Sequence, residues 1–558
     1  MTYEQQTTTD GQRIIIVGGV AGGASCAARL RRLDENAEIL MVERGPYVSY
    51  ANCGLPYHVG GVIEKEGKLL VATEAMFRER FAIDCRTRCE VTAIQPQAKT
   101  VELTNHATGE VTTEHYHKLV LSPGAAPIRP PLPGIDMAGI FSVRTVPDAR
   151  EIRTWIDQRQ AKHAVVVGGG FIGLEMAENL VHRGLEVTVV EMLDQVMPPL
   201  DREIARKVEQ HLTAHGVKLE LNDGVAGFEA GPEGTLAVLT KSGRSHPAEL
   251  VILAIGVRPE TALAKAAGLE LGDRGGIRVD QQMRTSDPDI FAVGDAVEVK
   301  DTVTGQWSLI PLAGPANRQG RIAADVIAGR ESKFRGTQGT AVVGVFGLVV
   351  ASTGASEKSL KRAGIDDYEK IYLYPNSHAA YYPGAKMVAM KVLFRKTNGL
   401  LLGAQAVGES GVINRVNALA MAIQMDGTVY DLEEAELCYA PQFGGAKDPV
   451  NFAGMVAADV LRGDMPLSHW ADAPEGYLLD VRDADEVEEE PTPGAVNIPL
   501  NELRGRLAEL PGDREILITC RSGQRAYYAT RILLQHGFKA RNLSGGALAR
   551  AMILGHCH

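Results

Sequence analysis

The chain has 558 residues, too many for one hydrophobic core, so three or four domains are expected. Its hydrophobic (45%) and charged (23%) fractions are those of an ordinary water-soluble globular protein. The net charge of −11 argues against nucleic acid as a standing partner, which would need a basic face. Apolar stretches such as Ala341 to Ala351 are too short and too Gly-broken for the about 20 residues of a membrane span, so no membrane partner is expected. Residues Met1 to Asp10 are polar and lack the features of a signal peptide. Seven cysteines, an odd number without framework spacing, point to functional thiols in a reducing compartment. A cytoplasmic location is the expectation.

Arg13-Ile-Ile-Ile-Val17 reads as a short buried strand running into Gly18-Gly-Val-Ala-Gly-Gly23 and then an Ala-rich helix from Ala24. Gly18, Gly22 and Gly23 keep such a turn tight and let the backbone approach a pyrophosphate at the helix N-terminus. Further on, Ile39-Leu-Met-Val-Glu43 ends a second strand in a carboxylate, the group that holds the ribose hydroxyls of an adenine dinucleotide. Ser49-Tyr-Ala-Asn-Cys-Gly-Leu-Pro-Tyr57 follows, with Cys53 opening a Gly-Leu-Pro turn. The pair Cys85 and Cys89 lacks such a nucleotide context.

The pattern recurs in Ala164-Val-Val-Val167, Gly168-Gly-Gly-Phe-Ile-Gly173, a helix through Leu174 to His182, and Val187-Thr-Val-Val-Glu191. Gly168, Gly170 and Gly173 form the second loop. Glu191 would repel the 2′-phosphate of NADPH, so NADH is expected to be the preferred donor, without excluding NADPH.

Thr285-Ser-Asp-Pro-Asp-Ile-Phe-Ala-Val-Gly-Asp295 resembles the second FAD motif of the two-dinucleotide-binding flavoproteins. Leu121-Ser-Pro-Gly124 and Leu253-Ala-Ile-Gly256 resemble the two linker motifs of that superfamily. The resemblance spans residues 12 to 335. It implies FAD in the first site, with Asp295 on the ribityl chain, and a nicotinamide cofactor in the second. It also implies an FAD domain in two parts, 1–150 and 276–335, around an NAD(P)H domain at 151–275.

Glutathione-reductase-type enzymes place a C-x4-C pair beside the flavin, and none is found near the N-terminus here. The Ser49-to-Tyr57 run, and Gly18 to Asp34 with its Arg-Leu-Arg-Arg ending, instead resemble coenzyme A–disulfide reductases. That resemblance makes Cys53 the redox sulfur, cycling between a thiolate and a mixed disulfide with CoA. It places Ser49 and Asn52 near the CoA thiol. Arg29 and Arg32 fall where the CoA phosphates lie, a role suited to bidentate guanidinium groups. Donors and an oxidised flavin beside Cys53 are expected to lower its pKa. NADH oxidases and peroxidases also use one cysteine, as a sulfenic acid, but carry a His in the first glycine loop. Val20 and Ala21 stand there in this chain, which ranks that activity third.

Residues 336–460 resemble the dimerisation domain of the superfamily. Within them, Ser377-His-Ala-Ala-Tyr-Tyr-Pro-Gly384 and Cys438-Tyr-Ala-Pro-Gln-Phe443 match the CoA–disulfide reductase branch. The match implies a homodimer in which Tyr381 and Tyr439 reach the cysteine of the other subunit, where a phenol could protonate a leaving thiolate. Gln442 replaces the family's second proline, a departure that touches loop detail.

A linker is read at 461–475. Beyond it, Tyr477-Leu-Leu-Asp-Val-Arg482, Gly494-Ala-Val-Asn-Ile-Pro-Leu500, Glu515-Ile-Leu-Ile-Thr-Cys-Arg-Ser-Gly-Gln-Arg525 and Asn542-Leu-Ser-Gly-Gly546 resemble, in order and spacing, a rhodanese domain at 476–558. The loop Cys520 to Arg525 leads from a strand into a helix, a geometry whose backbone N–H groups converge on an anion. Cys520 would be a thiolate held by that cradle, the helix dipole and Arg525, which would also meet the substrate. The resemblance makes Cys520 an acceptor of sulfane sulfur. Pro491-Thr-Pro-Gly494 lacks the family's usual histidine, which bears on substrate entry. The tail His556-Cys-His558 is read as a free end, and no metal site is expected.

The fold class is therefore α/β: two Rossmann-like dinucleotide-binding domains for FAD and NAD, an α+β dimerisation domain and a C-terminal α/β rhodanese domain. The function expected is NAD(P)H- and FAD-dependent reduction of CoA persulfide, other small persulfides or polysulfide to thiol and sulfide, coupled to sulfur transfer. CoA–disulfide reduction is the alternative. A non-catalytic sulfur carrier or redox sensor is weakened by the complete electron path.

Overall fold

The structure is a computed structural model that describes residues 11–555. The polar N-terminus and the His556-Cys-His558 tail lie outside the described residues. Two compact units form. One runs to Asp194 and resumes over Gly216–Gly339; the other joins Gln195–His215 to the chain from Thr340 on.

The first unit is built on two parallel five-stranded sheets. In one, Arg13–Val17 is central, flanked by Glu38–Glu43 and Lys118–Leu121, with Asp84–Thr87 and Ile290–Ala292 outside them. Ile15 and Ile16 are fully buried, because helices cover both faces of a parallel sheet and leave no polar side. In the other, His163–Val167 is central, between Glu186–Val190 and Leu250–Leu253. Helices Ala21–Leu33 and Phe171–His182 start just beyond the C-terminal ends of the two central strands. The first begins three residues before the expected Ala24, so Gly22 and Gly23 lie inside its first turn. Strand ends and helix N-termini converge there, which is where open α/β sheets bind ligands.

In the second unit an antiparallel five-stranded sheet is ordered Ala341–Val345, Leu348–Gly354, Leu401–Gly408, Ala389–Phe394 and Glu369–Leu373. Its helices include Val412–Gln424 and Pro449–Leu461. The apolar run from Ala341 to Ala351 is the hairpin of this sheet, turned by Phe346 (φ 48°) and Gly347 (φ 82°), the paired left-handed residues of a tight two-residue loop. No described helix is long and apolar enough to cross a membrane. A parallel five-stranded sheet follows, ordered Leu467–Ser468, Ala540–Leu543, Ile516–Thr519, Tyr477–Asp480 and Val496–Asn497. Its first strand lies inside the stretch read as a linker; two residues are too few to show a period.

The segment Gln195–His215 is held in the second unit by a buried charge. Lys391, fully buried on its strand, brings its ammonium to Asp201 at 2.8 Å, Glu203 at 2.5 Å and Glu357 at 2.5 Å. These three carboxylates converge closely enough to suit a cation, and Lys391 supplies it. Burial opposes ionisation of Glu357, but Lys391 and Lys370 outweigh it and hold the carboxyl down at about 2. The Tyr372 hydroxyl donates to Glu203 at 2.7 Å, and its backbone N–H donates to Ser544 Oγ at 3.3 Å. Arg206, on helix Arg202–Ala214, donates to the last carbonyls of helix Gly546–Leu554, Met552 O and Ile553 O. The cation complements the negative end of that helix.

Lys391→Met should destabilise the second unit by about 3–5 kcal/mol at neutral pH, because it strands buried carboxylates without a cation. In the variant those carboxylates have raised folded-state pKa values, so their penalty fades as pH falls and they protonate. The melting temperatures of variant and parent should therefore draw together from pH 7.5 to 5.5. A constant gap would mean that packing, not charge, is lost.

Candidate active site

The two dinucleotide loops are built alike. A Cβ on Gly23 would lie 1.9 Å from Gly18 O, and one on Gly173 would lie 1.9 Å from Gly168 O, so only glycine permits this approach of helix to strand end. Glu43 accepts from Gly19 N at 2.9 Å with Oε2 and from Gly45 N at 2.8 Å with Oε1. Glu191, largely buried, accepts from Gly169 N at 2.7 Å and from Leu193 N at 2.8 Å. In both loops the backbone fixes the carboxylate at the loop mouth. Gly170 is the N-cap of its helix.

The fold gathers the remaining motifs of the first site. Ser122 N donates to Val17 O at 2.7 Å and Val293 N to Leu121 O at 2.9 Å, which brings Gly124 and Asp295 to the end of the Gly18 strand. Strands Ala125–Pro127 and Val257–Pro259 pair antiparallel, so Gly124 and Gly256 lie on adjacent linkers. Partial burial raises Asp295, opposed by the Arg144 cation. The glycine cradle, the pinned Glu43 and the partly desolvated Asp295 fit an adenine dinucleotide that carries a ribityl chain.

Cys53 stands in a short 3-10 turn, Asn52–Gly54, that runs into helix Leu55–Val59. Ser49 bends the chain there: it has φ 46°, donates its N–H to Gly19 O at 2.7 Å and accepts from Val71 N at 2.8 Å. Such left-handed geometry in a serine is held by its surroundings and clusters at functional sites. With the Asn52 amide oriented to satisfy both neighbours, its oxygen accepts from Arg144 Nη1 at 2.7 Å and its nitrogen donates to Tyr50 O at 3.1 Å. The Cys53 side chain is exposed. The polypeptide alone raises its pKa, first through desolvation by neighbouring atoms, then through the Glu175 and Asp295 carboxylates. The lowering expected from the sequence is thus not supplied by these side chains. Arg29 is committed to Asp325 at 2.7 Å, whereas Arg32 is exposed.

In the second unit the exposed Tyr381 and Tyr439 share a hydrogen bond of 2.9 Å between their hydroxyls, and Phe443 of the same motif is exposed as well. Ala379 N donates to Gly444 O at 3.0 Å and ties the two segments together. Farther along the chain, Cys520 closes strand Ile516–Thr519, and helix Gln524–Gln535 begins four residues later. Its Sγ accepts from Gly523 N at 3.2 Å and Ala526 N at 3.4 Å, the cradle foreseen in the loop. Arg525 turns instead to Glu486, at 2.5 and 2.8 Å.

Comparison with known proteins gives this arrangement its family. Residues 12–320 match the pyridine nucleotide-disulphide oxidoreductase model, 340–448 that family's dimerisation domain, and 467–549 a rhodanese-like domain. The chain belongs to the pyridine nucleotide-disulphide oxidoreductase family. It is 35% identical to the coenzyme A disulfide reductase of Staphylococcus haemolyticus over 80% of this chain and all of the relative. The crystal structure of reduced Bacillus anthracis CoADR-RHD superposes with a TM-score of 0.96 at 48% identity, over 99% of both chains. The NAD-dependent persulfide reductase from A. fulgidus gives 0.90 at 37%, over 96% of this chain and 99% of that one. The enzyme is a flavin oxidoreductase dependent on FAD and NAD(P)H, with a rhodanese-like domain at its C-terminal end.

Sequence reading missed two features of this oxidoreductase. Arg144 meets Asn52, and its cation acts on Asp295 and Tyr50. Its only local signal is the capping box, Thr145 with Asp148, of the helix that follows. Tyr57 donates to Glu175 at 3.1 Å, joining the cysteine segment to the helix of the second loop. No local pattern announces a contact across 118 positions.

The pinned, buried Glu191 should make kcat/KM for NADH exceed that for NADPH by at least about tenfold, which is ~1.4 kcal/mol. Glu191→Ala should narrow the ratio chiefly through KM for NADPH. An unchanged ratio would show that the carboxylate does not set donor choice.

Proposed function

We propose that this enzyme reduces CoA persulfide, other small persulfides and polysulfide to thiol and sulfide, and that its rhodanese-like domain collects or delivers sulfane sulfur. The observation that carries the reading is the presence of two distinct sulfur centres on one chain: an exposed single cysteine among the dinucleotide motifs, and Cys520 in a backbone N–H cradle. The relatives add the chemistry, one being a coenzyme A disulfide reductase and one an NAD-dependent persulfide reductase. CoA–disulfide reduction is the second reading, favoured by the first of these relatives.

The Cys53 thiolate attacks the inner sulfur of R–S–SH; a bond forms between Cys53 Sγ and that sulfur, the persulfide S–S bond breaks and its electron pair leaves on HS⁻. Two electrons then return Cys53 to a thiolate and release R–S⁻, which takes up a proton. Bound FAD supplies the two-electron relay from NAD(P)H. Gly18, Gly22, Gly23, Glu43, Gly124 and Asp295 would hold it; Gly168, Gly170, Gly173, Glu191 and Gly256 would serve the nicotinamide cofactor. Ser49 and Asn52 orient the incoming thiol group, and the exposed Arg32 meets the CoA phosphates, with Arg29 joining only on release from Asp325. In a homodimer Tyr381 and Tyr439 reach Cys53 of the other subunit, where the hydrogen-bonded phenols donate the proton to R–S⁻.

Cys53→Ser should abolish reduction of CoA persulfide and of CoA disulfide while NADH still bleaches the flavin; turnover above a few per cent would remove Cys53 from the chemistry. Cys520→Ser should retain much of the CoA persulfide reduction and be silent with CoA disulfide, but lose polysulfide-linked sulfur transfer. Steady-state assays across the three substrates check this. Unchanged activity on all of them would make the rhodanese-like domain a bystander.

A further inference from the structure

Two arginines, Arg521 and Arg525, belong to the Cys520 loop, a third, Arg482, ends the Asp-Val-Arg motif of the same domain, and the fold gives them unequal freedom. Arg482 is 3% exposed and paired with Asp480, itself fully buried, at 2.7 Å; its Nη2 also donates to Thr492 Oγ1 at 3.0 Å. It ties the end of strand Tyr477–Asp480 to the segment Glu490 to Thr492. Arg525 is bidentate to Glu486, Nη1 to Oε2 at 2.5 Å and Nη2 to Oε1 at 2.8 Å, with Asp483 Oδ2 at 3.4 Å. Fork-to-carboxylate pairing of this kind fixes the guanidinium plane as well as its charge. Glu486 is anchored in turn, in the first turn of helix Ala484–Glu489, where its Oε2 accepts from Asp483 N at 3.1 Å. Arg521 is exposed and makes no ion pair among the described residues. Around Glu486, Asp485, Glu488, Glu489 and Glu490 extend the negative charge along the same segment.

We propose that Glu486 is a specificity-determining positioning residue of the rhodanese-like centre: by closing Arg525 into an ion pair, it withholds that cation from incoming donors and favours singly charged persulfides over dianionic thiosulfate. The inference rests on the reading that Cys520 accepts sulfane sulfur. In the transfer, the Cys520 thiolate attacks the outer sulfur of the donor. A Cys520 S–S bond forms, the donor's S–S bond breaks, and its electron pair leaves as R–S⁻ from a persulfide or as sulfite from thiosulfate. Nothing is oxidised or reduced overall. The two donors differ in the charge that must approach Cys520, and the field of Glu486 weighs on the dianion about twice as heavily as on the monoanion. Gly523 N and Ala526 N donate to Cys520 Sγ itself, and Glu486→Gln leaves both in place.

The test uses the full-length, flavin-loaded enzyme without NADH. Thiosulfate or cysteine persulfide is mixed with it, thiols are trapped at intervals, and the rate at which the Cys520 peptide gains one sulfur atom is followed by mass spectrometry. The parent should load faster from cysteine persulfide, and added NaCl should raise its thiosulfate rate by screening the acidic side of the mouth. Glu486→Gln should raise thiosulfate loading about three- to ten-fold, leave loading from cysteine persulfide within about twofold, and flatten the salt response. Glu486→Asp, which keeps the carboxylate, should behave like the parent. Unchanged donor ratio and salt response in Glu486→Gln would overturn the proposal. So would equal loss of both donors in Glu486→Gln and Glu486→Asp, which would assign Glu486 a purely structural role. A parent enzyme that takes sulfur from neither donor contradicts the reading of Cys520 itself, a result separate from these.

Discussion

At two places in the chain a helix comes so close to the end of a strand that a single methyl group would not fit. Gly23 against Gly18 and Gly173 against Gly168 share this constraint, down to the same distance. It aims each helix N-terminus at the mouth of its sheet, where backbone N–H groups and the helix dipole favour phosphate. It also leaves Gly19 N and Gly169 N free of the ladder, so that each can fix the carboxylate of the neighbouring strand. The Cys53 segment hangs from the same turn, because Ser49 N donates to Gly19 O. Nucleotide recognition and the placing of the sulfur are thus one piece of backbone geometry.

The two sulfur centres of this oxidoreductase differ in what holds them. The Cys53 side chain is exposed, yet desolvation by neighbouring atoms, and after it the Glu175 and Asp295 carboxylates, push its thiol toward the neutral form. Cys520 is buried, and two backbone N–H groups point at its sulfur. Such a cradle stabilises an anion by fixed backbone dipoles, without mobile charges. Cys53 instead lies in the field of the Glu175 and Asp295 carboxylates, the second of which feels the Arg144 cation.

Most of this was legible in the sequence, for a physical reason. Glycine loops, strand-end carboxylates and the Cys520 loop are local: each function is served by residues a few positions apart, so spacing encodes geometry. The family resemblance singled out Tyr381 and Tyr439 but gave no sign of the 2.9 Å hydrogen bond between their hydroxyls. What stayed hidden was non-local. Asn52 meets Arg144 across the fold, and Tyr57 meets Glu175. Lys391 looks like an ordinary strand lysine, yet it is buried among carboxylates from two distant segments. Arg525 was expected to face Cys520 in the service of substrate. Its ion pair with Glu486 was unreadable, since nothing in a run of acidic residues says which one turns inward.

One measurement bears most directly on the central claim. The enzyme, reduced anaerobically by a single equivalent of NADH, is mixed in a stopped-flow instrument with CoA persulfide while flavin absorbance and released sulfide are recorded. The oxidised flavin spectrum should return without oxygen, and one sulfide should appear for each NADH consumed. Flavin that stays reduced until oxygen is admitted, with no sulfide formed, would contradict the central claim and make the chain an oxidase.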